Sequence, residues 1–524
     1  MRILFLLASP EYFRYYDETV RLLADRGHRV AVAVNRQREG KARLDQFGWE
    51  HAGVEFLGEA PRRDDLWAGV AAALRGITDF SRYLDPRFAG APALRDRIRR
   101  KSLPASFAWL DLIPSLPSVL SRGWMSILTS CEAAIPPSST IDAFVAAERP
   151  DLVLVSPLVD FGAEQVDTIK SARRLGIPVA ASIASWDNLT NKGMIRGMPD
   201  RVFVWNAAQV QEAVTLHGVP RERIVMTGAQ PFDIWFDREP STTRRQFCER
   251  LGLDGDRPIL LYTCSSSFIA SAAAEVAFVR QWLSSLRAHP VLKDANVLVR
   301  PHPYNVWDWT SADLSELGPV AIAPRQPYNP LSSESRAGLF DALFHSAAVV
   351  GVNTSAMIEA AIVGRPVLSI RVPQFARTQD GTLHFRHLLP EHGGFVHVAG
   401  SVDEHVQLLV TALEHPAEWQ SRTAAFVRTF IRPCGVEAPS TPRLVDGIEA
   451  AALLPPSSAE SGAAAPLLRG AMLFAAALAY PFEELASEKP FGAVKRWVRV
   501  TLHRRLKDLS RTGHRLRRLV RRWT

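Results

Sequence analysis

The chain has 524 residues, 47% hydrophobic and 22% charged, which is enough for two domains of roughly 200 residues each and too apolar for bulk disorder. Its net charge of +8 is concentrated: residues 491–524 hold twelve Lys/Arg against one acid, Asp508, so this tail carries +11 and the remainder −3. The four cysteines, Cys131, Cys248, Cys264 and Cys434, are scattered without a C-x-x-C pair, which argues against a disulfide framework or zinc site and fits a reducing compartment.

The first predicted elements are a buried strand at 3–8, a helix near 17–25 and a strand at 29–34, with Gly27-His28 breaking the helix. The run 3–8 is too brief for a signal-peptide core. Strand, helix, strand is the opening of a doubly wound α/β domain. Residues 60–145 read as helical insertions that shape an acceptor site or face a membrane, being rich in Arg and Trp and punctuated by Pro. The α/β rhythm resumes with strands at 151–156, 178–182 and 200–205 and a helix at 164–175.

After a further helix and a strand at 224–227 comes Gly228-Ala229-Gln230-Pro231-Phe232-Asp233. A second α/β unit begins near Arg257, with strands at 258–263, 296–300, 320–323, 347–352 and 367–370. The expected division is 1–237 for an N-terminal Rossmann-like domain and 238–454 for a C-terminal one. A Pro/Ser/Ala linker follows at 455–466, then an amphipathic basic tail at 467–524. The apolar run 467–480 is too short to span a bilayer, and no stretch of about 20 uninterrupted apolar residues occurs anywhere.

In a doubly wound sheet ligands gather at the carboxyl ends of the strands, so the residues that follow each strand are the candidates. Asp160 follows the strand 151–156. After 178–182 comes Ser185-Trp186-Asp187-Asn188-Leu189-Thr190-Asn191-Lys192-Gly193. Asp187 is the first candidate general base for an acceptor hydroxyl and Asp160 the second, while Lys192 could neutralise a leaving phosphate. The plain alternative is an Asx-type turn in which Asp187 and Asn188 bond their own backbone.

In the second unit, Ser265 and Ser266 follow the first strand, where small hydroxyl residues can wrap a phosphate or simply cap a helix. Cys264 beside them reads as a small buried hydrophobe. Arg300-Pro301-His302-Pro303 follows the strand 296–300, with two prolines stiffening the turn. After 347–352, Asn353, Thr354 and Ser355 open a helix that ends at Gly364-Arg365-Pro366. Hydroxyls at a helix start suit a phosphate. Glu359, four residues after Ser355 on the same face, could accept hydrogen bonds from both ribose hydroxyls. The stretch 379–385, which contains Asp380-Gly381 and His384, reads either as a turn or as part of the site. No D-x-D, H-E-x-x-H, Walker loop or G-x-G-x-x-G is present, which disfavours kinases and dehydrogenases.

Residues 200–233, 299–303 and 351–366 together resemble the nucleotide-sugar site of GT-B glycosyltransferases and two related families. These are the non-hydrolysing UDP-N-acetylglucosamine 2-epimerases and the CDP-glycerol glycerophosphotransferases. The resemblance runs over about 1–435 and implies two Rossmann-like domains facing a cleft, 1–237 for the acceptor and 238–454 for the nucleotide donor, with no metal and no cofactor beyond the nucleotide-sugar donor as substrate. It implies that Thr354 and Ser355 contact the diphosphate, that Glu359 holds the ribose and that His302, with Arg300 near it, acts on the phosphates. It also implies that 379–385 lies near the donor sugar.

The tail interleaves Trp497, Leu506, Leu516 and Trp523 with Arg and Lys, as a basic amphipathic helix over 495–522 that binds anionic lipid would. Nucleic-acid binding is the weaker alternative, since no nucleic-acid module accompanies it. The expectation is a cytoplasmic glycosyltransferase, peripheral at the inner membrane, that builds a cell-surface glycan or lipid-linked saccharide. An epimerase, a glycerophosphotransferase and a non-catalytic membrane scaffold are the alternatives. The helical insertions and basic tail fit a compact, soluble epimerase poorly.

Overall fold

A computed structural model describes residues 1–36, 50–303, 305–330, 332–457 and 462–487. The basic segment 491–524, with the helix expected over 495–522, lies outside these residues, as does part of the expected linker, 458–461.

Two all-parallel sheets organise the chain, as the apolar runs predicted. The first contains β1 (Arg2–Leu7), β2 (Arg29–Val34), β3 (Val54–Glu59), β4 (Leu152–Ser156), β5 (Val179–Ser182), β6 (Arg201–Val204) and β7 (Ile224–Met226), in the order β3-β2-β1-β4-β5-β6-β7. The second contains β8 (Ile259–Thr263), β9 (Asn296–Arg300), β10 (Val320–Ile322), β11 (Ala348–Gly351), β12 (Val367–Ile370) and β13 (His397–Ala399), in the order β10-β9-β8-β11-β12-β13. Strand order reverses beside β1/β4 in one sheet and β8/β11 in the other, which are the switch points where such sheets bind ligands. Strands such as β1, β4 and β8 are continuous apolar runs because helices cover both faces.

Two strands were not legible in the sequence. The edge strand β3 is half-exposed, and its register against β2 shifts between Val32 and Ala33. The other edge strand, β13, has only three residues.

The expected insertion is present as helices Trp67–Ser81, Pro92–Ser102, Ser118–Ala134 and Ser139–Glu148. A buried charge network fastens it to the helix Gln165–Arg174, which packs on the first sheet. Arg75 bonds Glu132 at 2.9 Å and Asp167 at 2.7 Å, and Arg63 reaches the same Asp167 at 3.0 Å. Each buried charge is thus paired and hydrogen-bonded, the condition under which burial is tolerable.

The second domain was expected to run to 454, but its last helix, Ser440–Ala452, returns to the first sheet, burying Leu444, Val445 and Ile448 among the side chains of β1, β2 and β4. Asp233 anchors the return. Its carboxylate accepts the Ser440 N–H at 3.0 Å and the Thr441 N–H at 2.7 Å, the free donors of that helix start. Gly228 is required beside it. Its φ is +90°, and a Cβ there would lie 2.1 Å from Ser440 Oγ.

Helix Ala465–Ser487 packs on Ser118–Ala134, with Arg469 Nε donating to the Ala134 carbonyl at 2.7 Å. Among the described residues no helix is long and apolar enough to cross a membrane.

Candidate functional site

The carboxyl edges of the two sheets face each other across a cavity of about 590 Å³. A larger depression of about 870 Å³ opens at the opposite edge of the second sheet, beside Pro258 and Ala347. Those residues precede their strands, and ligands of such sheets bind where strands end, so the cleft between the domains is the candidate site.

The first domain contributes three strand-end loops. Tyr12 comes from the loop after β1, Asp160 from the loop after β4, and Asp187 and Lys192 from the loop after β5. Lys192 Nζ lies 2.5 Å from Asp160 Oδ1 and also donates to the Tyr12 hydroxyl, which in turn donates to Asp160 at 3.2 Å. Burial alone would lower the Lys192 pKa, but Asp160 and Tyr12 outweigh it and hold the ammonium above its usual range. Burial, with Asp160 beside it, raises the Tyr12 phenol, so Tyr12 stays protonated.

Asp187 is not spent on its own backbone. Asn188 makes the local turn bond, accepting the Ser185 N–H at 3.1 Å, while the Asp187 carboxylate accepts from the Asn191 side chain. Burial pushes this carboxyl up, yet His384, Lys192, Arg97 and the Ser185 hydrogen bond outweigh it, and the net shift is downward. His384 comes from the second domain and is buried, its ring edge-on to Trp186 with centroids 5.0 Å apart. Burial lowers its pKa to about 4, and its Nδ1 has no hydrogen-bond partner among the described residues. The two residues face each other across the domain boundary, and each shifts the titration of the other.

From the second domain the cavity receives Ser266 after β8, His302 after β9, and Asn353, Thr354 and Ser355 after β11. The short helix Ala356–Ile362 receives no cap from the Ser355 side chain, so a plain N-cap does not account for that residue. Asn353 Nδ2 donates to the Thr378 carbonyl at 3.1 Å, tying this loop to the stretch that carries His384. Burial, helped by Arg14, lowers His302 to about 4, so its imidazole is neutral at pH 7.

Three sequence candidates do not line the cavity. Ser265 is fully buried, and its N–H is taken by both Glu275 oxygens, at 2.9 and 3.2 Å. That amide is therefore not offered to a phosphate. Burial raises Glu275 itself to about 7. Arg300 turns away from the cavity, lying 5.7 Å over the Tyr328 ring beside the carbonyls of Ser335 and Gly338. Glu359 is not among the lining side chains; burial raises it to about 7, while Arg14, which does line the cavity, and Arg300 oppose the shift. Cys264 is buried and its thiol is pushed up, as a small core residue should be.

Tyr12, Arg14 and Arg97 are among the lining residues that were not singled out in the sequence, whereas His384 falls within 379–385, a stretch that was. Tyr12 follows the first strand, and the strand-end rule applied there would have found it. Arg97 arrives on the helical insertion, where no such rule operates. Among the described residues no group of His, Cys, Asp and Glu could hold a metal ion.

No protein-family model and no curated protein matches the sequence. Among solved structures, the chain is similar to the UDP-GlcNAc 2-epimerase of Neisseria meningitidis bound to UDP-GlcNAc. That match has 13% identity and a TM-score of 0.48, over 86% of this chain and 100% of the other. It is similar to the UDP-GlcNAc 2-epimerase of Methanocaldococcus jannaschii at 12% identity and TM-score 0.47, over 86% and 100%. It is also similar to WaaG, a glycosyltransferase involved in lipopolysaccharide biosynthesis, at 11% identity and TM-score 0.44, over 85% and 99%.

Proposed function

We propose that this protein is a glycosyltransferase that moves a sugar from a nucleotide-activated donor to a glycan or lipid-linked acceptor. One observation carries the reading: phosphate-compatible groups of one sheet, Thr354, Ser355 and His302, face carboxylates of the other, Asp187 and Asp160, across one cavity. The nucleotide belongs on the second sheet. Thr354 and Ser355 offer hydroxyls to the diphosphate, with Asn353 and Ser266 beside them, and neutral His302 donates an N–H. Glu359 serves the ribose from one turn beyond Ser355, next to the lining rather than in it and within the field of Arg14 in the cavity wall.

The acceptor enters from the first domain. Asp187 takes the proton of the acceptor hydroxyl as its oxygen bonds the anomeric carbon, and the bond from that carbon to the diphosphate breaks. Lys192, held charged by Asp160 and Tyr12, offsets charge on the departing nucleoside diphosphate. Asp160 is the second choice of base, because its carboxylate is already engaged by Lys192.

We place the enzyme at the cytoplasmic face of a membrane. Trp109, Leu112 and Leu120 of the insertion and Leu467 and Phe474 of the last helix are all exposed, the last two on a helix that packs against both insertion segments. Isolated exposed apolar residues are ordinary, but a group of this size marks a surface to be covered. The +11 segment follows that helix in the chain, which matches an anionic lipid surface.

The test is thermal unfolding of the full chain with UDP, GDP, CDP and CMP. One nucleotide should raise the midpoint in wild type, and less so in Glu359→Ala. If none does, the reading fails and a non-catalytic lipid-binding scaffold remains. With the nucleotide known, product analysis separates transfer of a sugar from transfer of glycerol phosphate. Conversion of the nucleotide-sugar without an acceptor would identify an epimerase.

A further inference from the structure

Arg97 sits on the insertion helix Pro92–Ser102, which bridges the mouth of the cleft. Its neighbour Asp96 forms an ion pair with Arg377 of the second domain. The Arg97 guanidinium lies 4.2 Å from the ring centroid of Phe268, in the second domain, and 5.5 Å from that of Phe161, in the first. Two aromatic rings from opposite sides of the cleft thus hold it at the cavity wall. It makes no hydrogen bond or ion pair with any described residue. Asp187 and Asp160 are near enough to act on it through their charge, but neither contacts it. Burial is strong enough to lower its pKa despite those carboxylates. Lys101, one turn further along the same helix, lines the same wall.

A half-buried guanidinium that lines the cavity and spends none of its N–H donors on the protein can turn them to the acceptors of a ligand. Its planar fork matches a two-oxygen anion, carboxylate or phosphate. The position belongs to the acceptor side, since it comes from the first domain and faces Asp187.

We infer that Arg97 is the receptor for an oxyanion carried by the acceptor, so the acceptor is a phosphorylated or carboxylated molecule rather than a neutral glycan. The inference rests on the transferase reading above for the word acceptor, but the anion site itself does not. The purely structural alternative is that Arg97 only clamps the two phenylalanines.

The experiment is calorimetric titration of the full chain, with and without the stabilising nucleoside diphosphate, using glycerol 3-phosphate and glucuronate against glycerol and glucose. At least one anionic probe should bind where its neutral twin does not, and which one binds separates phosphate from carboxylate. Arg97→Gln should weaken that binding at least about tenfold, the loss expected for charge-assisted hydrogen bonds, without changing nucleotide affinity. Arg97→Lys, which keeps the charge and the stem but loses the fork, should fall between, and it decides the matter if Arg97→Gln does not fold. Equal binding of charged and neutral probes overturns the inference, as does binding of neither probe, or anion affinity that is unchanged in both variants. Nucleotide affinity falling in step with anion affinity also overturns it and moves Arg97 to the donor. Anion binding that depends on Arg97 in a chain that binds no nucleotide overturns the proposed function alone.

Discussion

Lys192 Nζ and Asp160 Oδ1 lie 2.5 Å apart in the wall of the cleft, and this pair separates the roles of Asp160 and Asp187. Asp160 already neutralises a cation. Asp187 makes no ion pair with a lysine or arginine among the described residues; across the cleft it faces the buried His384.

The pairing predicts different losses for the two carboxylates. Asp187→Asn should lower turnover by about 10²- to 10⁴-fold, the usual contribution of a positioned base, with little change in unfolding midpoint. Asp160→Asn should instead destabilise the fold by about 1–2 kcal/mol, because Lys192 loses its partner. The figure is at the low end for a broken pair because the Asp160 side chain is 37% exposed. Steady-state rates and thermal melts of both variants check this, and the assignment is reversed if Asp160→Asn is the variant that keeps its midpoint and loses its turnover.

His302 is neutral near pH 7, so its expected contribution is a donated N–H rather than a charge. Removing one such donor at a developing oxyanion costs about 10²- to 10³-fold in turnover. His302→Ala should show that loss, and His302→Gln, which restores an N–H, should recover part of it. Equal rates in all three proteins would assign His302 to the turn alone.

Glu275 gives a pH signature in stability. Its carboxyl titrates at about 7 in the folded chain against 4.5 when exposed, because burial raises it by more than the hydrogen bonds from Ser265 and Tyr262 lower it. Between those values the folded state holds the extra proton, so stability from this group is full below pH 4.5 and declines as pH rises through 7. Glu275→Gln removes that decline. Relative to wild type, the variant should gain up to about 3 kcal/mol between pH 5 and pH 8, measured by denaturant melts at each pH. A parallel pH dependence in the two proteins would count against the burial argument.

The apolar surface and the basic tail should act together. Full-length protein should float with liposomes that contain anionic lipid at low salt and less so at high salt. Deleting 491–524 should reduce flotation strongly, and adding Trp109→Ser and Leu112→Ser should abolish the rest, with nucleotide binding intact. Flotation that is indifferent to all these changes would leave the membrane reading without support.

Two parallel sheets were legible in the sequence because strands buried on both faces need continuous apolar runs, and 3–8, 151–156 and 347–352 are such runs. The rule that ligands gather at carboxyl ends then located Asp160, Asp187, Lys192, Ser266, His302 and Asn353–Ser355, all of which line the cleft. Both inferences use local information, a strand and the loop after it. Tertiary structure decided the rest. The Ser265 amide went to Glu275 and the Arg300 side chain to a neighbouring helix, because a buried donor takes the acceptor that packing puts beside it. Arg97 reaches the cavity only because the insertion closes over it, and His384, in the stretch 379–385 that the sequence had marked, meets Asp187 only because the two domains pack together. A residue's distance from a site it does not adjoin in sequence is set by the packing of whole elements, which no local pattern encodes.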